Sequence, residues 1–114
     1  MSAKKITTGV AHEIQTLAEF EEYKSNCGKM LMVVDFHAPW CGPCRAIGPT
    51  FLKLAKETLD ACFVKVDVDE VEEVAALCEV TCMPTFHFYK NGTRLEVFSG
   101  ANEVTLAELV KKHK

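Results

Sequence analysis

Met30-Leu31-Met32-Val33-Val34-Asp35-Phe36 runs almost uniformly apolar, and His37-Ala38-Pro39-Trp40 then leads it into Cys41-Gly42-Pro43-Cys44 and a segment of helical period. A run with so little alternation suits a strand covered on both faces, as in a parallel sheet with helices on each side. The following helix therefore starts at the Cys-x-x-Cys. Thiols two residues apart at a helix start can close a small disulfide and reopen it, and the helix dipole favours thiolate on the first. Only thiolate attacks sulfur, so the junction is a candidate dithiol redox centre. The same spacing is also half of a zinc knuckle. A tetrahedral site needs two more ligands, and Cys78 and Cys82 stand at i, i+4 with no second Cys-x-x-Cys, so no metal is expected.

Upstream, residues 1–9 are polar, lack periodicity and end in Gly9, which predicts a flexible extension before a short strand at 10–14. Thr16-Leu17-Ala18-Glu19 fits a capping box, with Thr16 as N-cap and Glu19 reaching back, and Leu17, Phe20 and Tyr23 form the apolar face of a helix ended by Gly28. Downstream, Ile47, Phe51, Leu54, Ala55 and Leu59 continue the helix from Cys41, with Pro49 expected to kink it. A strand at 61–68 and a helix ending near Val80 follow. Residues 85–89 and 95–99 flank Lys90-Asn91-Gly92-Thr93, and Asn-Gly between strand-like runs marks a hairpin. An amphipathic helix at 104–110 closes the chain. The order β-α-β-α-β-α-β-β-α predicts an α/β domain over 10–114, in which a mixed five-stranded sheet is flanked by four helices.

Composition fits this reading. A chain of 114 residues, 48% of them hydrophobic, can bury a core without disulfide staples. The net charge of −3, with interspersed signs, gives no basic stripe for nucleic acid and no cationic helix for a membrane surface. No apolar run approaches the ~20 residues of a membrane span, and Met1-Ser2-Ala3-Lys4-Lys5-Ile6 lacks a secretory apolar stretch, so a soluble cytoplasmic protein is expected. The six cysteines (Cys27, Cys41, Cys44, Cys62, Cys78, Cys82) then read as a redox motif and free thiols rather than a secreted framework. Cys62, in a strand, and Cys78, on an apolar helix face, read as small buried hydrophobes. Cys27 has no assigned role. Asp35 interrupts an apolar strand, which calls for either a structural hydrogen bond or a proton relay.

Val34-Asp35-Phe36-His37-Ala38-Pro39-Trp40-Cys41-Gly42-Pro43-Cys44, Lys65-Val66-Asp67-Val68-Asp69, Cys82-Met83-Pro84-Thr85-Phe86 and Phe98-Ser99-Gly100-Ala101 occur in this order, and with them residues 10–113 resemble the thioredoxin family. The family is itself the usual illustration of a redox Cys-x-x-Cys beside a βαβ unit. The resemblance implies that Cys41 attacks a substrate disulfide and that Cys44 resolves the mixed disulfide. It implies that Gly42 and Pro43 shape the turn of a reducing protein, that Asp35 exchanges a proton with Cys44 through water, and that Lys65 pairs with Asp35. It also implies a cis Met83-Pro84 bond, with Trp40, Met83, Pro84, Gly100 and Ala101 forming a shallow substrate surface. Taken singly, Trp40 also reads as core filler, Gly100 as a turn and Pro84 as a strand start.

Cys82 resembles a cysteine of animal cytosolic members that supports intermolecular disulfides, so a mostly monomeric protein with a Cys82-linked dimer is expected. His37 departs from the small residue often found there, and reads as a pocket-tuning group or a solvent-facing filler. The implied activity is reduction of protein disulfides, such as those of peroxiredoxin-type partners, with thioredoxin reductase, a separate flavoprotein, supplying electrons from NADPH. No bound cofactor is expected, since no Gly-rich phosphate loop is present. The alternative is a binding or regulatory module that grips a partner according to its redox state.

Overall fold

The computed structural model describes residues 6–114. Its elements are β1 (Ala11–Glu13), α1 (Leu17–Asn26), β2 (Leu31–His37), α2 (Gly42–Glu57), β3 (Ala61–Asp67), α3 (Glu72–Leu77), β4 (Thr85–Lys90), β5 (Thr93–Ser99) and α4 (Glu103–His113). The order matches the sequence reading, with α3 stopping earlier than Val80. Thr16 caps α1 through Glu19 N–H to Oγ1 at 3.1 Å, but the Glu19 carboxylate accepts from Gln15 N–H at 2.7 Å, one residue before the capping-box position. Asn91 and Gly92 both have positive φ, 53° and 74°, as a two-residue turn matching strand twist requires.

The sheet is ordered β1-β3-β2-β4-β5. β3 pairs parallel with β1 and β2, while β4 runs antiparallel to β2 and β5 to β4. Strand-helix alternation implies parallel pairing throughout the first four strands. The third crossover departs from this, because β4 lies beside β2 in the opposite sense, with Phe86 opposite Asp35. The tight Asn91-Gly92 turn then commits β5 to the sheet edge.

β2 is buried on both faces from Leu31 to Phe36 because helices cover each side. Met32, Val34 and Phe36 pack with Cys62, Val64 and Val66 against Phe20 and Tyr23 of α1 and Val74 of α3. Leu31, Val33, Phe63, Phe86 and Phe88 pack against Ile47, Phe51 and Ala55 of α2 and Leu106 and Val110 of α4. Phe51 meets Phe63 edge-on at 5.3 Å between centroids, an arrangement worth about 0.5–1.5 kcal/mol beyond area burial. Strand alternation puts Asp35 on the face of Leu31 and Val33, toward α2. Of the expected flexible extension, residues 1–5 lie outside the described residues. Ile6 instead packs against the α1/α3 side of the core, because its apolar side chain is within reach of that face.

Candidate functional site

β2 and α2 together place the dithiol. β2 ends at His37, a four-residue loop turns the chain, and Cys41 becomes the N-cap of α2 with extended φ/ψ of −87° and 107°. Its Sγ accepts a hydrogen bond from Cys44 N–H at 3.2 Å, so a helix-terminal amide is aimed at the sulfur. Pro43 occupies the first turn, where a missing N–H leaves no bond unmade. Arg45 Nη1 donates to Pro39 O at 2.7 Å and braces the approach loop. Cys41 and Cys44 form a disulfide with Cα atoms 5.3 Å apart. Cys41 is 5% and Cys44 7% exposed, so exposure does not rank them as attacking and resolving thiols. They differ in position: Cys41 is the N-cap and Cys44 lies within the first turn of α2.

Behind the disulfide lies the charged group of β2. Asp35 is 2% exposed, and its Oδ1 has no hydrogen-bond partner among the described residues. Burial pushes its pKa up to about 6, against the opposing pull of His37 and Lys65. Lys65 stands opposite Asp35 in the β2/β3 register and acts across space, without a hydrogen bond to Oδ1. A cavity of about 190 Å³ connects these groups, lined by Asp35, His37, Lys65 and Cys44 among others. His37 is half-buried and its Nε2 lies 3.2 Å from Glu13 Oε2, so it faces the cavity rather than serving as surface filler. Glu13 raises the Asp35 pKa further and was not singled out by the sequence.

Around the sulfurs is a surface assembled from three distant segments. Met83-Pro84 is cis. Met83 packs against the cluster of Ala38, Cys41 and Cys44, which Val68 also joins. Gly100 N–H donates to Pro84 O at 3.0 Å, and its φ of +108° is a value that glycine adopts without strain. Ala101 follows, exposed. Trp40 is 65% exposed, which overturns the core-filler reading, and its Nε1–H donates to Asp69 Oδ2 at 2.9 Å. Nothing local in the sequence marks Asp69 for this contact. It depends on how the loop after β3 meets the loop after β2.

The remaining cysteines differ in setting. Cys82 is exposed, and hydrogen bonds from Ser99 and Thr85 hold its thiol below the ordinary range. Cys62 and Cys78 are buried, as read from the sequence, and Cys78 Sγ sits 3.7 Å from the Tyr89 hydroxyl. His12 and His113 pair with Glu19 and Glu96, each at 2.8 Å, and buried His87 is pushed down to about 4. No group of three or more His, Cys, Asp or Glu among the described residues is arranged to hold a metal. No helix among them is long and apolar enough to cross a membrane.

The family model described as Thioredoxin matches residues 11–112. The chain is 50% identical over 103 residues to the thioredoxin of Ictalurus punctatus, covering 89% of this chain and 96% of that relative. Its fold is similar to the X-ray structure of Fasciola hepatica thioredoxin, with a TM-score of 0.88 and 48% identity over 90% of this chain and 99% of the other. A chain in a yeast structure on thiol resolution in mitochondrial 1-Cys peroxiredoxin via glutathione/thioredoxin systems is similar with a TM-score of 0.84. That chain is 36% identical, over 93% of this chain and 99% of its own length.

Proposed function

Because the chain belongs to the thioredoxin family and is a thiol-disulfide oxidoreductase, we propose that Cys41 and Cys44 reduce disulfides of protein substrates and are themselves re-reduced by thioredoxin reductase, a separate NADPH-dependent flavoprotein. The observation that carries this is the Cys41-Cys44 disulfide at the start of α2, with a helix amide on Cys41 Sγ and a buried carboxyl facing α2 behind Cys44.

In the reduced protein, Cys41 thiolate attacks one sulfur of a substrate disulfide, the other substrate sulfur leaves as thiolate, and a mixed disulfide forms. The Cys44 amide that points at Cys41 Sγ stabilises the attacking anion. Cys44 then loses its proton and attacks Cys41 Sγ, releasing the second substrate thiolate and closing Cys41-Cys44. Two electrons pass to the substrate. Asp35, largely ionised at neutral pH, takes the Cys44 proton through water in the cavity, which exceeds the ~30 Å³ that one liquid water occupies. Lys65 steadies the Asp35 anion across that cavity. Gly42 and Pro43 keep the turn short enough for the two sulfurs to meet.

Trp40, Met83, Pro84, Gly100 and Ala101 receive an extended peptide beside the sulfurs, largely through backbone contacts. Protein disulfides, including those of peroxiredoxin-type proteins, are the substrates, in keeping with the yeast structural relative. The redox domain spans residues 10–114, works in the cytoplasm as a monomer, and binds no cofactor of its own. Exposed Cys82, with its lowered thiol pKa, supplies the sulfur for a disulfide-linked dimer under oxidation. Cys82→Ser is expected to remove that dimer from non-reducing gels, and the same dimer in the variant would refute the assignment.

The test is NADPH consumption with insulin as substrate and a flavoprotein thioredoxin reductase as electron donor. Steady turnover that depends on all three components is expected. A folded, chemically reducible protein that draws no electrons from NADPH would exclude the recycling route.

A further inference from the structure

Cys27 and Cys62 are far apart in sequence and meet in the core beneath α1 and α3. Cys27 is the C-cap of α1, while Cys62 is the second residue of β3, opposite Met32 in the register. Their side chains hydrogen-bond to each other, sulfur to sulfur. The other free cysteines face hydroxyls instead: Cys78 meets Tyr89 at 3.7 Å and Cys82 meets Thr85 at 3.6 Å. Neither hydroxyl can close an S–S bond. The pair also stands apart from the dithiol at Cys41, since Met32 and His37 are separated by roughly 16 Å of strand at ~3.3 Å per residue.

We propose that Cys27 and Cys62 are a second dithiol, which hydrogen peroxide converts to an intramolecular disulfide between the end of α1 and the centre of the sheet. Cys27 reacts first. It retains 6% exposure at the end of α1, whereas Cys62 is fully enclosed at 0%. The bond from Cys62 favours the anion on Cys27, whose thiol is held below its ordinary value while that of Cys62 is raised.

Cys27 thiolate attacks one peroxide oxygen, the O–O bond breaks, and the departing hydroxide is protonated to water, leaving Cys27 as a sulfenic acid. Cys62 sulfur then attacks Cys27 sulfur. The S–O bond breaks, and a second water leaves with the Cys62 proton as the S–S bond forms. The two thiols lose two electrons and two protons, and one peroxide becomes two waters. Both side chains lie in one packed cluster and interact with each other, so the second thiol is already at hand when the first is oxidised. The resulting link closes a loop over residues 27–62, which contains β2 and Cys41-Cys44, and restricts the unfolded chain.

The experiment uses the full chain as a Cys41→Ser/Cys44→Ser protein, so its result is independent of the disulfide-reducing cycle. Reduced protein is treated with hydrogen peroxide, alkylated under denaturing conditions and mapped by mass spectrometry, then unfolded in urea. The expected product has lost two hydrogens, joins the Cys27 and Cys62 peptides, reverts with a phosphine, and unfolds at a higher urea midpoint than the reduced form. Cys27→Ala and Cys62→Ala, each added to that background, lose the mass change. In the otherwise wild-type protein, Cys27→Ala abolishes the cross-link and leaves insulin reduction unchanged. Full alkylation of both cysteines after peroxide would overturn the proposal, as would a cross-link joining Cys78 or Cys82.

Discussion

Cys41→Ser is expected to end NADPH-coupled insulin reduction, and Cys44→Ser to end it by a different route that leaves a covalent trace. A serine at 41 stays protonated at neutral pH and cannot serve as the sulfur nucleophile, even with the Cys44 amide still aimed at it. The loss should be on the order of 10⁴-fold or more, as for removal of the nucleophile from other covalent catalysts. With Cys44→Ser the first attack survives, because Cys41 keeps its thiol and the donor to its Sγ is the main-chain N–H of residue 44, which serine also carries. The mixed disulfide then has no internal thiol to release it. Non-reducing electrophoresis should show a substrate adduct with Cys44→Ser and none with Cys41→Ser. Residual turnover in Cys41→Ser, or adducts reversed between the two variants, would sink the assignment of roles.

The second large effect is on stability and follows from Asp35. Its carboxyl titrates near 3.8 in an exposed setting and about 6 in the fold, because burial without a partner for Oδ1 penalises the anion. Between those values the folded protein holds a proton that the unfolded chain has released. Stability of the oxidised protein therefore falls as pH rises from about 4 to about 6, by about 3 kcal/mol from this group, and stays lowered above that range. Asp35→Asn keeps the shape and abolishes the ionisation. It should unfold at higher urea concentration than wild type at pH 7, by about 1–3 kcal/mol after allowing for a buried amide. The two proteins should converge below pH 4. Parallel pH profiles would show that Asp35 is not the group responsible. The same variant lacks the base for Cys44, and its substrate-release step should slow by about 10²-fold. A gain in stability coupled to a loss in rate is what separates a working carboxylate from a structural one.

The local parts of this architecture were legible because their causes are local. An apolar run covered on both faces makes β2, Thr16 offers its hydroxyl to a helix start, and Asn91-Gly92 accepts positive φ at both turn positions. Each involves residues a few positions apart, so the chemistry can be read where it stands. The Cys41-x-x-Cys44 pair is legible for the same reason: its disulfide, its amide donor and the helix start lie within four residues. The Asp35 side chain was legible as an anomaly. Of its partners, Lys65 came with the family resemblance and His37 stands two residues along the same strand, but Glu13, which pairs with His37 from β1 and acts on Asp35, was not legible, since the sequence does not show β1 to be close.

By itself, then, the sequence determined the order of elements, the redox dithiol and the family, because helical and strand periods and the Cys-x-x-Cys are written in near neighbours. Only the tertiary structure decided the rest. β4 could lie parallel or antiparallel beside β2 with an unchanged apolar pattern, and burial on both faces is satisfied either way. Trp40 could be core or surface until the loop carrying Asp69 came within 2.9 Å. Cys27 had no assigned role and Cys62 read as a small buried hydrophobe until β3 entered the sheet beside β2 and brought the two side chains into one cluster. Such contacts join segments tens of residues apart. They are selected by packing of the whole core, and no local preference encodes them.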